Sequence, residues 1–234
     1  MYLCSMKKFL FFMMSFLLII ISAGCSSDDE SDAMYQIKYY SQPAYADIEQ
    51  GYWYKETTED EFIKLTPNTE APYQLLVCPK NDKGRRAIEY MAGKGDGIIK
   101  NVYKRARYFD MNFTDSTTYY LVTSTIYFES PDLFVSDNYF LPGYGAIAGD
   151  CYRITPTIIV NLKEGADIKD IEAEYNNVMT LRHTNSVKDN RYTTYIFYSH
   201  LNNSYEVLRL ANELYKRNDV NWAEPDMLIP IHPF

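Results

Sequence analysis

The chain has little of what metal and nucleic-acid chemistry need. It carries three histidines (His183, His200 and His232) and four cysteines in 234 residues, with no Cys-x-x-Cys pair, so no metal site is expected from spacing. Lys and Arg form no stripe and the net charge is −8, so nucleic acid is not an expected partner. Gly95 and Gly97 fall in GKGDG, which lacks the Lys-Ser/Thr ending of a phosphate-binding loop and opens no helix. That stretch reads as a turn, and no cofactor is expected. The apolar run Phe9 to Ile21 has 13 residues, short of the ~20 needed to span a bilayer as a helix.

What is present begins with an export signal. Lys7 and Lys8 precede the apolar run, and Ser22-Ala23-Gly24-Cys25 closes it with small residues. The segment resembles a bacterial lipoprotein signal, although Ser22 stands where that motif usually has Leu. The resemblance implies cleavage after residue 24 and lipidation of Cys25. The acidic run Ser26 to Asp32 is too charged to pack and reads as a solvated tether. Such an opening is similar to the signal that sends lipoproteins to the outer face of the outer membrane. A surface address, with the membrane engaged through the lipid, is therefore expected. Cys4 and Cys25 belong to this segment. Cys78 and Cys151 remain, and the sequence leaves open whether they bridge or stay as two buried thiols.

Tyrosine is abundant, at 23 residues, which suits half-buried sheets and contact surfaces. Residues 33–52 read as a linker, completing a tether over residues 25–52. Trp53 to Lys55 and Phe62 to Leu65 alternate as two short strands around a polar turn. Tyr73 to Cys78 reads as a buried strand, and Lys83 to Ala92 as a short helix with Ala87, Ile88 and Met91 on one face. Residues 98–140 give three further strand runs and no obvious second helix. Lys100, Lys104, Arg105 and Arg107 alternate with Tyr103 and Tyr108 there, as a solvent-facing strand does. The glycine-bearing loop around residues 141–150 marks a boundary between a β-rich module, 53–150, and a second domain, 151–234.

The second domain has the clearest pattern. Thr157 to Leu162 is a strand run, and Asp167 can cap a helix presenting Ile168, Ile171 and Tyr175. Val178 to His183 and Arg191 to Tyr198 read as an antiparallel pair. Asn203 with Glu206 forms a capping-box pattern before Val207, Leu210, Ala211, Leu214 and Tyr215. Val220 to Trp222 returns as a strand, with Pro225 expected to bend its end. The order βαββαβ predicts an α+β protein whose C-terminal domain is ferredoxin-like. A faint echo between Ile126 to Leu133 and Val220 to Met227 suggests that the β-rich module is a degenerate relative of that domain.

The opening IIVNLKEGAD and the ending ANELY…VNWAEPDML together resemble the N-terminal prodomain of subtilisin-like serine peptidases of the fervidolysin type. The resemblance covers residues 157 to about 229. It implies a domain that chaperones a peptidase and occupies its substrate cleft. The Asp-Ser/Thr-Gly, His-Gly-Thr and Gly-Thr-Ser-Met-Ala segments of such peptidases are absent, so the chain is not expected to be an enzyme. A partner peptidase is expected in trans or encoded downstream, or else the chain is the prodomain fragment of a truncated peptidase. The resemblance further implies that Glu224 and Asp226 cap helices of the partner. The tail Ile231-His232-Pro233-Phe234 would enter the cleft, with Phe234 and Ile231 at its first and fourth apolar positions. The competing expectation is a non-catalytic surface module that binds peptide or glycan, or serves structurally.

Overall fold

The computed structural model describes residues 32–41, 52–55, 62–67, 71–106, 118–140, 152–186 and 193–228. Cys25, Cys151, the expected boundary loop around residues 141–150 and the tail Ile231 to Phe234 lie outside these. Two units are distinguished, Met1–Gln36 and Ile37–Phe234. In the first, residues 32–35 form a helical turn, followed by Gln36 at φ 51°.

The second unit is α+β with sheets predominating. β1 (Lys38–Tyr40) lies within the stretch read as a linker. β2 (Tyr52–Lys55) and β3 (Phe62–Pro67) pair antiparallel, as their alternation predicts. β4 (Tyr73–Pro79) has Leu75, Leu76, Val77 and Cys78 all fully buried, so both of its faces are covered. That double burial is why its sequence is a continuous apolar run. α1 (Asp82–Gly93) starts at Asn81, whose side chain accepts from the Gly84 N–H at 2.9 Å. It buries Ala87, Ile88 and Met91, and packs on β4 and β5 (Ile99–Ala106).

Two of the three expected strand runs in residues 98–140 are broken. The run from Thr117 divides into β6 (Thr118–Ser124) and β7 (Tyr127–Glu129), because Ser124 Oγ donates to the Ile126 carbonyl at 2.6 Å and turns the chain. The run from Leu133 divides at Asp137 into β8 (Leu133–Ser136) and β9 (Asn138–Phe140). There the chain changes sheets. β8 pairs with β4, whereas β9 pairs with β3 and with β10 (Tyr152–Leu162).

The rest follows the expected order: α2 (Ile168–Tyr175), β11 (Met179–Ser186), β12 (Thr193–Ser199), α3 (Ser204–Tyr215) and β13 (Val220–Leu228). Asp167 caps α2 by accepting from the Lys169 N–H at 3.0 Å. Asn203 caps α3 by accepting from the Glu206 N–H at 2.9 Å, while Glu206 reaches back to the Asn202 N–H at 3.1 Å. β13 does not bend away at Pro225. It runs on to Leu228, with Pro225 opposite Ile158 beside an irregularity of β10.

The strand orders of the two halves coincide. The four-stranded sheet reads β5-β6-β4-β8, and the C-terminal strands read β11-β12-β10 with β13 on the other edge of β10. Each is second-third-first-fourth in chain order, all antiparallel, with a helix after the first strand. They differ after the third strand, where the C-terminal half has α3 and the N-terminal half has β7 paired with β1. That ribbon lies beside α1. Tyr127 packs edge-on to Tyr73 of β4 at 6.2 Å, and Lys94 beyond α1 sits 5.5 Å from the Tyr39 ring. The two halves are also joined, since β9, β3 and β2 extend the C-terminal strands into a seven-stranded sheet.

The turn between β7 and β8 presses on α1 at Gly84. A Cβ there would lie 2.2 Å from the Asp132 carbonyl oxygen. Gly84→Ala is expected to destabilise the protein by about 1–3 kcal/mol despite the better helix propensity of alanine, read as a lower urea midpoint. An unchanged or higher midpoint would contradict this packing.

Candidate functional site

Pairing register divides the β11-β12-β10-β13 sheet into two faces. Ile158 stands opposite Phe197 and Pro225, and Val160 opposite Tyr195 and Ala223. Ile158, Val160, Phe197 and Ala223 are buried, and α3 packs against β10 and β13 from this side. α2 is tied to the end of α3 by Arg217, which bonds Glu174 and lies 5.8 Å from the Tyr175 ring.

The opposite face carries Ile159 opposite Ile196 and Glu224, and Asn161 opposite Thr194 and Trp222. Ile159, Ile196, Trp222 and Glu224 are half-buried. Alternation along β13 places Trp222, Glu224 and Asp226 together on this face. The structure thus brings together two of the residues singled out from sequence, Glu224 and Asp226, beside an apolar centre. Asp226 already has a partner inside the chain, accepting from Thr155 Oγ1 at 3.1 Å.

Toward β11 the face becomes polar and aromatic. Arg182 lies 5.3 Å from the Tyr198 ring, and Thr180 Oγ1 is 2.8 Å from His200 Nε2. Burial pushes the Tyr198 hydroxyl up to about 12, with the Cys78 thiol adding to the shift and Arg182 opposing it. Tyr198 therefore stays neutral through the physiological range. Cys78 is fully buried in β4. Its influence on Tyr198 places the N-terminal half near this face.

A second polar cluster closes the junction between the halves. Lys80, at the end of β4, donates to the His200 carbonyl at 2.8 Å and to the Asn202 side chain. The Val135 N–H donates to the Asn202 carbonyl at 2.8 Å, and Tyr139 OH meets Ser204 Oγ at 2.6 Å. Burial pushes the Lys80 ammonium down to about 8, against the pull of Glu206 and Asp132. Burial also raises the Glu129 carboxyl, helped by Glu206 and opposed by a hydrogen bond from Asn203. These groups hold the two halves in register.

Sequence reasoning did not find Lys80, Thr155 or Tyr198. Lys80 stands between a strand and a capping Asn, where a solvated charge is the ordinary outcome, and its partners are 120 and 122 residues away. Among the described residues, no three His, Cys, Asp or Glu side chains gather as a metal-binding group, and no helix is long and apolar enough to cross a membrane. What the site offers is a sheet face with Ile159, Ile196 and Trp222 half-buried, Asn161 and Thr157 buried beside them, and carboxylates along one edge.

Comparison with known proteins finds no matching family model, no matching curated protein and no matching solved structure.

Proposed function

We propose that the chain is a lipid-anchored surface module that binds a subtilisin-like serine peptidase and occupies its substrate cleft, in the manner of that family's prodomains. In this reading residues 157–228 form a ferredoxin-like domain. The antiparallel order β11-β12-β10-β13, with α2 after the first of these strands in the chain and α3 after the third, supports it. The N-terminal half is a second copy of the same arrangement, with the β1–β7 ribbon in place of one helix. Cys25 carries the lipid, which holds the module at the outer membrane.

The observation that carries the reading is the face bearing Ile159, Ile196, Trp222 and Glu224. It is the side of the sheet opposite α3, and β13 at its edge leads into residues 229–234. The partner packs on this face, and Ile231 to Phe234 enter the cleft as an added strand held by main-chain hydrogen bonds. In this reading Glu224, at the margin, meets the N-terminus of a partner helix.

Titration of the full chain against subtilisin, with a chromogenic peptide as substrate, tests this. The chain should slow hydrolysis competitively, and removing residues 231–234 should weaken inhibition by about tenfold or more. Inhibition that survives the deletion unchanged would remove the tail from the reading. No inhibition and no binding by the intact chain would overturn the reading itself.

A further inference from the structure

We propose that Thr155 and Asp226 form a clip that divides β13 into a fixed front and a separately releasable end, and so controls how the following residues are presented to a peptidase. The control of presentation rests on the inhibitory reading above; the division of β13 does not.

The ladder between β10 and β13 shifts register at two places, the wider of them between Ile154 and Ile158. From Leu162↔Val220 to Ile158↔Pro225 the strands run together, with one slip next to Leu162. Pairing resumes at Ile154↔Met227 and Arg153↔Leu228. Between these stretches Thr155, Pro156 and Thr157 stand against Asp226 alone. Pro156 and Pro225 have no N–H, so neither strand can donate a ladder bond from those positions. The break separates two lengths of β13 that differ in anchoring. Val220, Ala223 and Pro225 in the front are buried, whereas Met227 and Leu228 beyond the break are half-buried.

One side chain spans the break. Thr155 is fully buried, and its hydroxyl accepts from the Thr157 N–H at 3.3 Å while donating to Asp226 Oδ2 at 3.1 Å. It braces the irregular turn of β10 and ties the end of β13 to it. A hydroxyl donating to a carboxylate is a charge-assisted bond, stronger than its neutral counterpart. Losing it should free residues 226–228 while the front stays paired. Thr155 and Asp226 act here as positioning residues.

Amide hydrogen exchange on the full chain tests the division, with inhibition of subtilisin measured beside it. Thr155→Val keeps the shape and removes the hydroxyl. Exchange at residues 226–228 should quicken by about fivefold or more while residues 220–224 stay unchanged. Inhibition should weaken by about tenfold. Thr155→Ser should restore both readouts, and Asp226→Ala, which breaks the same bond from the other side, should reproduce the local exchange signature. Uniform quickening along β13, or none at residues 226–228, overturns the clip. If the intact chain fails to inhibit subtilisin, the inhibitory reading falls and the exchange pattern still decides whether β13 is divided. If inhibition is intact in Thr155→Val while residues 226–228 are freed, the clip exists without controlling presentation, and that half of the proposal is overturned.

Discussion

Phe197→Ala should lower the stability of the chain by about 3–5 kcal/mol, the largest effect expected of any single substitution considered. Phe197 is fully buried on the face that receives α3, opposite Ile158 on one side and Leu181 on the other. Its neighbours are fixed by ladder hydrogen bonds to β10 and β11, so they cannot close around the space that an alanine would leave. The removed ring loses its transfer free energy, and the cavity adds to the loss. Against the ~5–15 kcal/mol by which ordinary domains are stable, this brings the protein near its unfolding midpoint without denaturant. Urea titration followed by circular dichroism measures it. A loss below about 1 kcal/mol would mean that the helices pack elsewhere.

Arg217→Ala should cost about 1.5–3 kcal/mol at neutral pH, the range for hydrogen bonds to charged groups. Arg217 follows α3 and reaches two elements at once. Nε and Nη2 donate to the two oxygens of Asp219 at 2.9 and 2.8 Å, and Nη1 donates to Glu174 at the end of α2. The Arg217 side chain is only 20% exposed, so solvent screens these bonds less than at an open surface. The bidentate grip comes just before β13 and fixes where that strand begins.

This substitution carries a pH signature. Hydrogen bonding from Arg217 holds the Asp219 carboxyl below its ordinary value, with burial acting the other way. A carboxyl depressed in the folded state adds stability that is fully present above its unfolded value of about 3.9 and is lost as pH falls through its folded value. The difference in stability between the native protein and Arg217→Ala should therefore hold from pH 6 to about 4 and shrink as pH falls further, through the folded value. Parallel stability curves over that window would show that Arg217 acts through packing and not through charge.

Several elements were legible because their signals are local. Asn203 and Glu206, three residues apart, specify the start of α3, and the bonds between them form as the spacing requires. Ala87, Ile88 and Met91 define the buried stripe of α1, and they are the residues it buries. Pro225 misled because a proline within a strand ordinarily ends it, whereas here the opposite strand is irregular at the same level. Asp137 gave no warning that a run of apolar and aromatic residues would change sheets. The sequence suggested a relation between the two halves through a faint echo between residues 126–133 and 220–227. The halves have a common strand order, but the echoed stretch itself is broken into β7 and the start of β8.

For the candidate site, sequence singled out Glu224 and Asp226, which do lie on one face with Trp222. It did not reveal that Asp226 is held by Thr155, 71 residues away, nor that Lys80 meets His200 and Asn202 across the junction. By itself the sequence determined the helices and most of the strands, since periodicity and caps are properties of neighbouring residues, but not β1 or the breaks after Ser124 and at Asp137. Only the tertiary structure decided the order of the strands, the sheet to which each belongs, and the partner of each charge. Those depend on contacts between residues far apart in the chain, where loop closure and competing pairings leave no mark on any local pattern.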